Sequence, residues 1–195
     1  MNSEPAALIF DCDGTLVDSM PIHYVAWRDT MERHGFVFSE ERFYQHAGQP
    51  TWHIIQMLAE ERGVTVDVPA LSREKEQEFV RIIHLVQPIA AIVAIARQNR
   101  GLKKMAVASG GWQDITRMQL KQAGIVDWFE TIVTAEDTER HKPEPDVFLE
   151  AARRLGVAPA DCLVYEDADL GVEAARRAGM RCVDVRTLDL RSLRA

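Results

Sequence analysis

Four apolar runs constrain this chain more than any other feature: AALIF at 6–10, KKMAVAS at 103–109, TIVTA at 131–135 and CLVYE at 162–166. Each is short, and each is followed by polar or glycine-bearing residues, as expected of strands buried on both faces of a parallel sheet. A weaker fifth run is RCVDV at 181–185. Between the runs, apolar residues take helical spacing. Val147, Phe148, Ala151, Ala152 and Leu155 form one stripe, and Leu170, Ala174, Ala175 and Ala178 form another that stops at Gly179. From residue 88 onward, strand and helix alternate, which implies an α/β fold with a Rossmann-like parallel sheet core covered on both faces.

Residues 20–86 break that alternation. They carry no convincing strand and read as helices over 21–34, 51–62 and 70–86. An all-helical block between the first strand and the rest of the sheet implies an inserted α-helical cap at 18–86, with 1–17 and 87–195 forming the core domain. Within the block, Trp52, Ile55 and Ala59 share helical spacing and are expected in a core. At 195 residues and 47% hydrophobic the chain can bury that much structure. A net charge of −7 speaks against a nucleic-acid surface, which needs excess Lys and Arg. The longest greasy segment, 79–96, is interrupted by Arg81, His84, Gln87 and Pro88, so no membrane span is expected. A soluble cytoplasmic monomer follows as the expectation, with Cys12, Cys162 and Cys182 reduced and serving as small hydrophobes.

In open α/β sheets the ligand site lies beyond the carboxyl ends of the strands. After the first run come Asp11 and Asp13, after the second Ser109 and Gly110, after the third a loop bearing Lys142, and after the fourth Glu166 and Asp167. So many carboxylates on one edge call for a divalent cation, and hard oxygen donors without His or Cys nearby point to Mg²⁺. The ligands would come from Asp11, Asp13, Glu166 and Asp167. Alternate residues of a strand face the same way, so Asp11 and Asp13 can both look into the site while Gly14 turns the chain. One carboxylate near the cation can attack phosphorus and the other, kept off it, can carry a proton. Lys142 would spread the charge on the transferring group, and Ser109 with the N–H groups at Gly110 and Gly111 would hold phosphate oxygens.

The segments DCDGTLVDS, VASGG, HKPEPD and EDADLGVEAARRAGM resemble, in order and spacing, the four motifs of the haloacid dehalogenase superfamily, and the resemblance spans essentially the whole chain. The insertion is similar to the cap of that superfamily's β-phosphoglucomutase-like branch, and GQPTW at 48–52 is similar to its sugar-phosphate phosphatases of the fructose-1-phosphatase kind. The resemblance implies a Mg²⁺-dependent phosphatase acting on a small phosphorylated metabolite through an aspartyl-phosphate. It makes Asp11 the nucleophile and Asp13 the general acid/base whose main-chain carbonyl also binds Mg²⁺. It makes Asp167 a direct ligand assisted by Glu166, gives Ser109 and Lys142 the phosphoryl group, and sets His23 near the substrate.

Each motif also has a plainer reading. Asp-Gly pairs are ordinary turn chemistry, most lysines are solvated, and Glu166, Asp167 and Ser109 could serve helix starts. His23 could be structural. The loop Gly48–Trp52 could be a helix entry capped by Thr51, or a substrate-facing loop in which Gln49 and Thr51 bind. A sugar-phosphate mutase and a non-catalytic phosphometabolite-binding module on the same fold are the competing functions. The first would return the phosphoryl group to a second hydroxyl, and the second would need a broken site.

Overall fold

The structure, a computed structural model, describes residues 4–188. Strand β1 (Ala7–Phe10) is fully buried and leads into the two-residue strand β2 (Val17–Asp18). Helix α1 (Met20–Arg33) starts with Pro21 in its first turn, where a missing N–H costs nothing. Helix α2 (Glu40–Gln45) is capped by the Ser39 hydroxyl, which accepts from the Arg42 N–H, and α3 (Thr51–Arg62) stops at Gly63 in the left-handed conformation. Helix α4 (Val68–Ile82) starts at Asp67, whose carboxylate accepts from the Ala70 N–H, and strand β3 (Gln87–Pro88) follows. The remaining elements alternate: α5 (Ala90–Asn99), β4 (Lys104–Ala108), α6 (Gln113–Gln122), β5 (Thr131–Val133), α7 (Asp146–Leu155), β6 (Cys162–Glu166), α8 (Asp169–Arg177) and β7 (Arg181–Asp184).

All five expected strands are present in one parallel sheet of order β5-β4-β1-β6-β7. Successive side chains of β1 enter opposite layers. Leu8 and Phe10 join Ile92, Val107, Ile115 and Leu120 on one face, while Ala7 and Ile9 join Phe148, Ala151, Val164 and Ala175 on the other. The helical stripe expected over 147–155 lies against this second face, and so do Ala174, Ala175 and Ala178 of the second stripe, whereas Leu170 stands outside this core and is only half-buried.

The helical block runs between β2 and β3, which pair antiparallel as Val17 with Pro88 and Asp18 with Gln87. It holds its own core, including Trp27, Met31, Phe38, Phe43, Ile54 and Leu58. Three details differ from the sequence reading. The β2/β3 pair is too short to show periodicity, and α2 buries only Phe43, so neither leaves a pattern. Trp52 is 38% exposed although Ile55 and Ala59 are buried. It lies in the first turn of α3, past the end of the cap core, with its ring against His53 and His141. Among the described residues, no helix is long and apolar enough to cross a membrane.

Candidate active site

Chain order reverses at β1, whose neighbours are β4 and β6, so the crevice beyond its carboxyl end is the sheet's switch point. The Asp11 N–H donates to the Tyr165 carbonyl at 3.0 Å, continuing strand pairing one residue past β1. The chain then turns at Gly14, which has φ +84° and whose N–H donates to Val17 at 2.8 Å. A Cβ on Gly14 would overlap the Asp167 carboxylate, so glycine is needed here both for the turn and for the close approach.

Lys142, 2% exposed, reaches from the loop after β5 to donate to Asp11 Oδ1 at 2.7 Å and to Glu166 Oε1 at 2.6 Å. Burial works against its charge, but the two carboxylates outweigh burial and raise its pKa. The second Glu166 oxygen accepts from the Ala168 N–H at 2.6 Å, which ties the strand end to the start of α8. Burial pushes the Asp11 carboxyl well above the usual range; Lys142 opposes this, while Glu166, Asp167 and Asp13 add to it. Asp167 is pushed up to about 7, first by burial and then by Glu166, against the Thr15 hydroxyl, which donates to it at 3.0 Å, and Lys142.

Asp13 is held differently. Its Oδ1 accepts from the Ser19 hydroxyl at 2.5 Å and pairs with His23 Nε2 at 3.1 Å. Burial raises its pKa, but His23 and Ser19 outweigh burial and hold the carboxyl well below its ordinary range. Buried Lys75 donates to His23 Nδ1 at 2.9 Å. An ammonium can only donate, so Nδ1 accepts, and Nε2 is the nitrogen that carries a proton toward Asp13. The His23 ring also stacks on Phe79 with centroids 3.7 Å apart.

Sequence reasoning expects four carboxylates around one cation, and in the structure each of the four has partners of its own within the protein. Glu166 is taken up by Lys142 and Ala168, and the Asp13 carboxylate by Ser19 and His23. Among the described residues, no three Asp, Glu, His or Cys side chains are grouped as a metal cluster. The Asp11 and Asp167 carboxylates each receive one hydrogen bond through Oδ1, from Lys142 and Thr15, and with main-chain carbonyls form the candidate donor set. That set fits Mg²⁺, which takes one or two carboxylates and completes its shell with waters and phosphate oxygens. Burial first, and then the neighbouring carboxylates, raise Asp11 and Asp167, and a cation beside them would oppose both effects.

Asp11, Asp13, Ser109, Gly110, Glu166 and Asp167 line one cavity, closed on its other side by His23, Gln49 and Thr51 of the helical block. Ser109 does not start α6, whose flanking residue is Trp112; its Oγ accepts from the Gly111 N–H at 3.0 Å. Thr51 does not cap α3, which Pro50 precedes; its hydroxyl donates to Glu76 Oε1 at 2.6 Å. The cavity encloses about 70 Å³, well under the roughly 300 Å³ of a small-molecule site. The block therefore stands closed, with the Gly48 carbonyl carbon only 2.9 Å from where a Gly110 Cβ would be.

Lys75 and Glu76 are the charged cavity residues that sequence reasoning missed. One signal was available for Lys75, since it interrupts the buried face of α4 between Leu71 and Phe79 at helical spacing.

The family described as haloacid dehalogenase-like hydrolase matches residues 8–185. Fructose-1-phosphate phosphatase YqaB of Escherichia coli is 40% identical over 94% of this chain and 97% of its own. Hexitol phosphatase A of Escherichia coli is 34% identical over 91% of this chain and 81% of its own. A crystal structure of β-phosphoglucomutase from Clostridium difficile matches with a TM-score of 0.81 at 25% identity, over 91% of this chain and 83% of that one.

Proposed function

The chain belongs to the haloacid dehalogenase-like hydrolase family, and from that premise we propose a phosphatase for a small sugar phosphate of the fructose 1-phosphate kind, working in the cytoplasm through an aspartyl-phosphate. One observation carries the reading. Side chains from the ends of β1, β4 and β6 share a cavity, and Lys142 from beyond β5 is bonded to two of them.

In this mechanism an Asp11 carboxylate oxygen attacks phosphorus in line as the bond to the sugar oxygen breaks, and Asp13 delivers the proton that the departing oxygen needs. The negative ester beside Asp13 favours its protonated form during this step. Water then attacks the phosphoryl group on Asp11, its proton returns to Asp13, and inorganic phosphate and the Asp11 carboxylate are released. Ser109 and the N–H groups of the Gly110 segment hold phosphate oxygens, and Lys142 neutralises charge that builds near Asp11. Asp11, Asp167 and the Asp13 carbonyl are the residues that would hold Mg²⁺, which, when bound, supplies electrostatic stabilisation of the transferring group. Segment 18–86 acts as the cap that admits the ester by opening and excludes bulk water by closing.

The test is phosphate release from a panel of phosphate esters with Mg²⁺ and without any bisphosphate activator. Sugar monophosphates should be hydrolysed, chelation should stop turnover, and Asp11→Asn should abolish it while melting as the wild type does. A panel that yields no phosphate, or an Asp11→Asn enzyme working at the wild-type rate, refutes the proposal.

A further inference from the structure

Glu76 projects from α4 into the wall of the cavity, where its two carboxylate oxygens have unequal surroundings. Oε1 accepts from Thr51 at 2.6 Å and from Lys75 at 3.1 Å, whereas Oε2 is buried with no partner in the protein. Burial raises the pKa of this carboxyl, but Lys75 and the Thr51 hydroxyl outweigh burial and hold it below the ordinary range, so the group is an anion. A buried anionic oxygen without a donor is costly, which makes it a strong acceptor for whatever enters the cavity.

Its position adds to this. Glu76, Trp112 and Ile115 line both the closed cavity and a second, open cleft of about 450 Å³ between α4 and the start of α6. An ester with its phosphoryl group at Asp11 and Ser109 has to direct its other end toward the cap side of the cavity. Lys75, the buried cation there, is already engaged by His23 and Glu76.

We propose that Glu76 is a specificity-determining residue: Oε2 accepts a hydrogen bond from a hydroxyl of the substrate's polyol portion. The preferred substrates are then polyhydroxylated phosphate esters over esters whose leaving group has no hydroxyl. The inference rests on the phosphatase reading above and deepens it.

The test compares kcat/KM for fructose 1-phosphate, fructose 1,6-bisphosphate and p-nitrophenyl phosphate in the wild type, Glu76→Gln and Glu76→Asp, with a thermal melt to check folding. Both variants should lower the preference for fructose 1-phosphate over p-nitrophenyl phosphate by about five- to tenfold, the gap between a charged and a weakened acceptor. Fructose 1,6-bisphosphate, which keeps the hydroxyls of the sugar, should lose with fructose 1-phosphate in both variants. If Glu76→Gln fails to fold, Glu76→Asp still reads the hydroxyl contact. A preference over p-nitrophenyl phosphate within twofold of the wild type, or an equal loss on all three esters, overturns the role of Glu76 and leaves the phosphatase standing. A wild type that hydrolyses none of the three overturns both.

Discussion

Replacing Gly110 by alanine tests cap closure with a single methyl group. The φ of Gly110 lies outside the left-handed region, so the backbone accepts alanine, and the N–H offered to phosphate is retained. The new Cβ would overlap the Gly48 carbonyl oxygen and stand 2.9 Å from its carbon. Carbon atoms pack at about 3.5–4.0 Å, so the cap loop must withdraw by roughly 1 Å. A displacement of about 1 Å in a catalytic arrangement can cost about 10²-fold. Overlap with backbone should strain the native state by about 1–3 kcal/mol, as overpacking does, which outweighs the roughly 0.4–1 kcal/mol that alanine gains through the unfolded chain. For a chain of this size Tm should hold or fall by up to about 10 °C. The assay is steady-state phosphate release with a sugar monophosphate, beside a calorimetric melt. Gly111→Ala is the comparison, since the nearest atoms to its Cβ would be Ser109 Oγ at 3.2 Å, Thr116 Oγ1 at 3.3 Å and Asp13 Oδ2 at 3.7 Å. If Gly110→Ala keeps kcat within threefold of the wild type, or loses it no more than Gly111→Ala does, closure through this contact is not part of turnover.

Lys142→Met leaves the Asp11 and Glu166 carboxylates buried without their shared ammonium. Breaking a buried ion pair costs about 3–5 kcal/mol, so Tm should fall by about 6–20 °C, and a fall under 2 °C in a circular-dichroism melt contradicts the bridging geometry. Gly14→Ala requires a left-handed alanine, at about 1–2 kcal/mol, and pushes on the Asp167 carboxylate. The Mg²⁺ concentration for half-maximal activity should rise about tenfold, and an unchanged Mg²⁺ requirement would show that Asp167 is not a ligand.

Much of the fold was legible because burial writes itself into short-range pattern. A parallel strand must be apolar on both faces, and each of the four runs found its place in the sheet. The stripe from Val147 to Leu155 announced α7 because a helix against a sheet needs one apolar side. Trp52 shows the limit of the same logic, since spacing says which residues share a face and not how far the opposite surface extends. The cap's part of the site was the least legible. His23, Lys75 and Phe79 meet across α1 and α4, more than fifty residues apart in the chain, and no local pattern encodes that meeting.

The sequence by itself determined which residues stand at strand ends, and with that the set Asp11, Asp13, Ser109, Lys142, Glu166 and Asp167, because the position of a polar group after an apolar run is a local property. Only the tertiary structure decided how they divide: Glu166 and Asp11 to Lys142, Asp13 to Ser19 and His23, and Asp167 to Thr15. That division depends on which partner lies within about 3 Å, and such distances are set by packing among elements remote in the chain.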